Sequence, residues 1–432
     1  MEKEKLKELV IEYKDRFFAE SNLISREIQK NINRFLITKE IILITGVRRS
    51  GKSSLMKLIA DDLLNIHNVP KSNILYLNFE DERFIEFKHK DFDALHEVFL
   101  ELENPQGKKY FFLDEIQNIE GWEKWANRLY EFENVKFFIT GSNAAMLSSD
   151  VSAALTGRNR QIINWPFSFS EFLNLRGISI DANDFYKKEK RVIIKRLLKE
   201  YTKFGGFPEV LKQKDTDLLD QYFKDILYRD LIAKYSLKNI RELKEICLHL
   251  FSNVGAIFSY ANLKSMVSAK SVNTVKNYLE ILENVFLFFK VPLFDYSVKK
   301  QIYNPDKFYA IDSALSQTIG FKFSSNIGHI YENIVFLELK RRNKDLYYWK
   351  CKSGKEVDFI IRSGAKIEEA IQVCFNFVNE KTKKREIEGL LKAKLELKPR
   401  KFTIISEDEM CEEKIGNINI QIIPLWKWLL SK

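Results

Sequence analysis

Residues 46–53 read Gly46-Val47-Arg48-Arg49-Ser50-Gly51-Lys52-Ser53, the spacing GxxxxGK[ST], directly after the apolar run IILIT and before the helical run SLMKLIADDLL. Glycines at both ends let the backbone curl so that successive N–H groups face one anion, and the following helix N-terminus adds its positive dipole. This is phosphate-binding chemistry. Lys52 is expected to reach the β and γ phosphates of a nucleotide, the Ser53 hydroxyl to ligate Mg²⁺, and Ser54 to complete the loop. The alternative, a strand-to-helix turn that binds nothing, fits the flanks poorly.

A metal-bound triphosphate also needs a carboxylate near the metal, and hydrolysis needs a group to polarise water. KKYFFLDEIQ offers both: Asp114 for the Mg²⁺ shell and Glu115 for the water, against the plainer reading of an acidic helix cap. KFFITGSN places Ser142 and Asn143 at a further strand end, and Ser142 is the first choice as a γ-phosphate sensor. In AALTGRNRQ, Arg158 or Arg160 would neutralise γ-phosphate charge, with Arg158 preferred. An exposed, salt-bridging arginine is the competing reading.

Those side chains need a scaffold, and the pattern supplies one. Short apolar runs at 41–45, 73–79, 110–114, 136–141 and 160–164 alternate with helical patterns, which implies an α/β fold with a parallel sheet buried on both faces. From 185 to 240 the apolar spacing is helical. From 241 to 310 short helices lead into an expected hairpin, VPLFDYSVKKQIYNPDKFYAID. The remainder reads helix, three strands, helix, strand, and a last strand and helix. A length of 432 residues gives a prior of about three domains. The composition, 45% hydrophobic and 30% charged with 16 Gly and 8 Pro, excludes collagen-like and largely disordered chains. Cysteines at 247, 351, 374 and 411 form no CxxC pair, and five scattered histidines give no zinc spacing, so a reducing compartment is expected. The N-terminus is a charged amphipathic pattern and no charge-free run nears 18 residues, so the expectation is cytoplasmic, with no membrane partner. A net charge of +10 is compatible with a polyanionic partner and equally with solvating lysines.

The ordered motifs GVRRSGKS, LDEIQ, TGSN, LTGR and PFSFSEF, at Gly46 to Ser53, Leu113 to Gln117, Thr140 to Asn143, Leu155 to Arg158 and Pro166 to Phe172, resemble prokaryotic P-loop ATPases of the AAA+ and STAND assemblage. The resemblance implies an α/β P-loop NTPase core over 1–175, a helical lid over 176–240, a winged-helix module over 241–315 and a restriction-endonuclease-like (PD-(D/E)xK) domain over 316–432. Gly205-Gly206-Phe207-Pro208 resembles the lid motif whose proline contacts adenine, which gives Pro208 that role. A simple inter-helical turn is the alternative. In the winged-helix region Ser271 is expected to N-cap a helix presenting Asn273, Lys276 and Asn277 to double-stranded DNA, with Lys299 and Lys300 on the hairpin touching phosphate. Winged helices also serve as protein-interaction modules. In the last domain Glu332 and Asp358 match the acidic positions of a metal-dependent nuclease. Gln372 and Cys374, however, stand where an acid and a lysine are expected; Lys352 or Lys355 could migrate into the lysine role, but the site is expected to be degenerate.

The leading expectation is therefore an ATPase that uses ATP and Mg²⁺, with homo-oligomer formation open because Arg158 could act across an interface. The second is a slow nucleotide-state switch whose output is a DNA or protein contact, and the third a true nuclease.

Overall fold

The computed structural model describes residues 1–36, 38–143, 155, 157–235, 237, 239–321 and 327–431. The chain divides into two compact units, Met1–Trp165 and Pro166–Lys432. Residues 166–175, assigned from sequence to the core, thus group with the second unit.

The first unit is a five-stranded sheet of β1 (Ile41–Thr45), β2 (Ile74–Asn78), β3 (Lys109–Asp114), β4 (Val135–Gly141) and β5 (Asn159–Ile163), in the order β2-β3-β4-β1-β5. Every neighbouring pair is parallel. Side chains alternate across a strand, so each strand feeds two cores. Ile41 and Leu43 of β1, Phe111 and Leu113 of β3, and Phe137 and Ile139 of β4 share one apolar cluster. Ile42, Ile44, Tyr110, Phe112 and Phe138 fill the other. Helices close both faces. The amino-terminal α1 (Lys3–Phe18) buries Leu6, Leu9, Val10, Tyr13 and Phe17 at the helical repeat. Helix α2 (Lys52–His67), after the glycine-rich loop, buries Leu55, Met56, Ile59, Ala60 and Leu63 in the second core. Helices α3 (Asp91–Glu103) and α4 (Trp122–Phe132) complete the layer.

The second unit opens with α5 (Phe169–Leu175), held by a capping box between Ser168 and Glu171, then α6 (Lys188–Phe204), α7 (Pro208–Gln213) and α8 (Asp217–Asp225). There follow α9 (Ile240–Ser252), β6 (Ile257–Phe258), α10 (Tyr260–Met266), α11 (Val272–Asn284), β7 (Phe288–Val291), α12 (Val298–Tyr303) and β8 (Asp306–Ala310). The three strands form an antiparallel sheet, β6-β8-β7. The expected hairpin is therefore interrupted: Lys299 and Lys300 lie on the six-residue α12 between β7 and β8, not on the strands themselves. After α13 (Ser313–Ile319) and α14 (Ile327–Arg341) comes a mixed six-stranded sheet with α15 (Glu380–Leu397) against it. Its strands are β9 (Asp345–Lys350), β10 (Glu356–Ser363), β11 (Lys366–Cys374), β12 (Lys401–Ser406), β13 (Cys411–Ile415) and β14 (Ile418–Pro424), with α16 (Leu425–Leu430) last. One strand here, β13, was not expected; it pairs antiparallel with β14 as a hairpin. Among the described residues no helix is long and apolar enough to cross a membrane.

Candidate nucleotide site

The glycine-rich loop runs from the carboxyl end of β1, between β4 and β5, which is where ligands bind in open parallel sheets. Its backbone explains its composition. Gly46 has φ 147°, and a Cβ there would lie 2.4 Å from the Asn164 carbonyl oxygen. Gly51, at φ 89°, is the left-handed N-cap of α2. Arg49 also adopts positive φ, 68°, so the turn is tight throughout. The loop is braced from behind by residues outside the motif. Asn164 Nδ2 donates to the Ser50 carbonyl at 3.0 Å and Arg26 to the same oxygen at 3.4 Å. Arg26 also reaches the Trp165 carbonyl at 2.7 Å.

Lys52 is buried, and its Nζ lies 3.2 Å from the Gly46 carbonyl, 3.4 Å from that of Val47 and 3.4 Å from Glu115 Oε1. Ser53 and Ser54 are exposed at the first turn of α2. The strand-end carboxylates differ in setting. Asp114 is buried and accepts from the Thr140 hydroxyl and, at 3.1 Å, from the Tyr76 hydroxyl. Burial and the charge of Glu115 push its carboxyl above the ordinary range, while the Ser53 and Thr140 hydroxyls and Lys52 oppose them. Glu115 is in the left-handed region at φ 51°, a conformation costing roughly 1–2 kcal/mol for a residue with a Cβ. Its N–H donates to Thr140 Oγ1 at 2.9 Å, which fixes the turn. Thr140 thus orders both acids at once. Ser142 and Asn143 are buried at the end of β4.

The structure brings together Gly46–Ser54, Asp114, Glu115 and the β4 terminus, but not Arg158. Asn159 pairs with Ile41 and Ile163 with Thr45, so Arg158 stands at the amino end of the sheet. That is about 17 Å along the strand from the carboxyl edge. Its guanidinium bonds Asn127 and, at 2.7 Å, Glu131, both on α4. Arg160 pairs with Glu40 at 3.1 Å and lies over the Phe35 ring. Both arginines are thus held by partners away from the carboxyl edge of the sheet. Thr156, between them and β4 in the LTGR motif, lies outside the described residues. Thr140, Tyr76, Asn164 and Arg26 were not singled out from sequence; only the strand-end position of Thr140 hinted at a role.

Magnesium is usually held by one or two protein oxygens with phosphate and water supplying the rest. The Ser53 hydroxyl and the Asp114 carboxylate, which interact with one another, fit that need. No cluster of three or more acidic, histidine or cysteine ligands occurs among the described residues.

In the second unit, Pro208 is the first residue of α7, following the turn Gly205-Gly206-Phe207. Ser271 caps α11, accepting from Thr274 N at 3.1 Å, and Asn273, Lys276 and Asn277 are exposed along that helix. Lys299 and Lys300 are exposed, the latter 3.4 Å from Asp295. Glu332, Asp358 and Gln372 do meet, in a cavity of about 780 Å³. Of the candidate lysines, Lys352 is exposed and Lys355 is paired with Glu388 at 2.6 Å. The Cys374 thiol is pushed up to about 12, chiefly by burial. The lysine that occupies the cluster is Lys307 of β8, which sequence spacing did not reveal.

Residues 38–173 match the family described as an AAA domain, and residues 195–325 and 327–428 match two domains of unknown function, DUF8612 and DUF4143. Solved structures with which the chain aligns include the Aeropyrum pernix ORC2 protein in its ADP form, at TM-score 0.36 and 13% identity over 64% of this chain and 90% of that one. The Aeropyrum pernix ORC1 protein in complex with DNA aligns at TM-score 0.29 and 12% identity, over 71% and 95%. Scores this low leave the fold resting on the sheet topology itself. Sequence relatives are nearer. The uncharacterized protein MJ1544 of Methanocaldococcus jannaschii is 36% identical over 425 residues, 94% of this chain and 92% of that protein. An uncharacterized protein of Haemophilus influenzae is 34% identical over 419 residues, 95% and 99% of the two chains. With that identity sustained over nearly the whole of each chain, the protein belongs to the family of these two proteins, and its amino-terminal part is an α/β AAA domain built around a P-loop.

Proposed function

We propose that the protein is an Mg²⁺-dependent ATPase whose nucleotide state sets the arrangement of its C-terminal modules. The observation that carries this reading is the strained Glu115. Its N–H is held by Thr140, and its carboxylate sits 3.4 Å from Lys52 at the mouth of the P-loop. A left-handed glutamate is costly, and such strain persists where it places a group for chemistry.

The loop N–H groups from Gly46 to Ser54 bind the phosphates, and Lys52 neutralises their β and γ oxygens. Ser53 and Asp114 would hold Mg²⁺, which would supply charge withdrawal from the phosphate oxygens. Glu115 orients a water against the γ-phosphorus and takes up its proton on the carboxylate. The bond from phosphorus to the β–γ bridging oxygen breaks, leaving ADP and phosphate. Ser142 reports the γ-phosphate from the end of β4. Phosphate release from the intact protein tests this. Lys52→Ala and Glu115→Gln should each lower the rate by two or more orders of magnitude, and equal rates in all three proteins would refute hydrolysis at this site.

A second reading is supported by the order of elements in residues 240–310. Helix α11 buries Val275, Tyr278, Leu279 and Leu282 and leaves Asn273, Lys276 and Asn277 outward, beside a three-stranded antiparallel sheet. Such a helix suits a DNA major groove, with Lys299 and Lys300 on phosphate. Duplex affinity should differ between ATP and ADP, fall with salt, and drop in Lys276→Glu. Affinity that ignores both nucleotide and Lys276 would leave this face to a protein partner.

A further inference from the structure

The resemblance of residues 316–432 to metal-dependent nucleases implies a divalent cation between Glu332 and Asp358, and the side chains present do not fit one. Lys307 Nζ lies 3.0 Å from Glu332 Oε1 and 2.9 Å from Asp358 Oδ1, so one ammonium already bridges the two carboxylates. Three of the four carboxylate oxygens accept hydrogen bonds. Glu332 Oε1 also accepts from the Tyr309 hydroxyl at 2.6 Å, and Asp358 Oδ2 accepts from the Val373 N–H at 3.0 Å. His329 Nδ1 is 3.6 Å from Glu332 Oε2. On the far side, Gln372 presents its oxygen to the Asp358 N–H at 3.3 Å and its amide to Glu386, which Arg385 holds in turn.

Lys307 is not a surface side chain that has swung in. It is 3% exposed, and β8 is the middle strand of its sheet, with Ile257 opposite Lys307 on one side and Val291 on the other. Two ladders therefore fix the direction of the side chain. Tyr309, two residues along and on the same face, points at the same carboxylate. Asn333 of α14 ties the strand down, accepting from Ala310 N at 2.9 Å and donating to Ala310 O at 3.1 Å. A magnesium ion needs oxygens at about 2.0–2.1 Å in octahedral array. An ammonium with hydrogen bonds to both carboxylates fills that space and supplies the charge.

We propose that Lys307 is the resident cation of this cavity. It stands where the nuclease resemblance implies a metal, makes the site metal-free, and fastens the three-stranded sheet to the C-terminal sheet. A buried charge left without its partner is costly. Removing the ammonium while keeping both acids should therefore create a divalent-cation site.

The test is Mn²⁺ binding to the full-length, nucleotide-free chain, read from the free-ion electron paramagnetic resonance signal. Wild type and Asp358→Asn should bind alike, and plasmid should stay intact with Mg²⁺ or Mn²⁺. Lys307→Met should gain one Mn²⁺ per chain, at least about tenfold tighter than any background, and Lys307→Met with Asp358→Asn should lose it. A wild-type Mn²⁺ site abolished by Asp358→Asn, or plasmid cleavage abolished by that change, overturns the proposal. So does a Lys307→Met protein that melts cooperatively yet gains no ion. If Lys307→Met fails to fold, the comparison of wild type with Asp358→Asn decides alone, since a metal-free site predicts no difference between them.

Discussion

Thr140 is the residue on which both acids of the nucleotide site depend. Its hydroxyl donates to Asp114 and accepts from the Glu115 N–H, so Thr140→Val, nearly the same shape without the oxygen, takes a partner from two groups at once. Leaving a buried polar group unsatisfied costs about 1–3 kcal/mol. We expect the fold to survive, ADP affinity to change by only a few-fold, and single-turnover phosphate release to fall by on the order of 10- to 100-fold as Glu115 loses its position. Unchanged release would show that Thr140 is only structural. The contiguous P-loop and the Asp114–Glu115 pair were legible in sequence because their chemistry is local. Thr140, Tyr76 and Asn164 were not, because each acts on a partner 25 to 114 residues away. For Arg158 the difficulty is the opposite: motif order suggested the phosphates, whereas the β1/β5 register sets it at the far end of its own chain's sheet, which leaves only action across an interface.

At the scale of elements, alternating apolar runs foretold the five parallel strands to within a residue or so, because a strand buried on both faces leaves so strong a pattern. What the pattern could not foretell was a lysine inside one of them. Lys136, second residue of β4, is fully buried, its ammonium donating to the Glu40 carbonyl and lying 5.6 Å from the Phe138 ring centroid. Burial first, then the charges of Lys108 and Arg160, lower its pKa to about 7, with Glu40 opposing them. The folded chain thus binds fewer protons here than the unfolded chain between about pH 7 and the ordinary lysine value of 10.5. The sign follows: unfolding free energy should rise with pH across that window, by at most about 1.4 kcal/mol per pH unit. Denaturant melts at pH 7.5 and 9 should show the rise in wild type and lose it in Lys136→Met. A Lys136→Met protein with the same slope would assign the rise to other groups.

At the scale of the whole molecule, the sequence suggested a chain of modules, yet residues 166–432 cohere as one unit because long-range side chains stitch them together. Asp312 is the clearest stitch. Its carboxylate accepts from Gly206 N at 2.6 Å and from Ala314 N and Leu315 N, both at 2.9 Å. The turn it holds admits only glycine: a Cβ at Gly205 would lie 2.2 Å from Asp312 Oδ1, and one at Gly206 would lie 2.6 Å from the Phe167 carbonyl. Phe167 N donates to Gly206 O at 2.7 Å, and the Phe167 carbonyl accepts from the Tyr201 hydroxyl and from Arg341. One knot therefore joins the start of the unit, the turn before Pro208, the N-terminus of α13 and helix α14. Asp312→Ala removes three acceptor contacts from buried N–H groups, a loss of about 2–4 kcal/mol confined to this unit. Hydrogen exchange on the intact protein separates the consequences. Peptides from 201–213 and 310–319 should lose protection in Asp312→Ala, while P-loop peptides keep the protection that ADP with Mg²⁺ confers, about 2.7 kcal/mol at a hundred times Kd. If ADP protection at the P-loop falls with it, the knot governs nucleotide binding itself, and the coupling runs deeper than the stability of one unit.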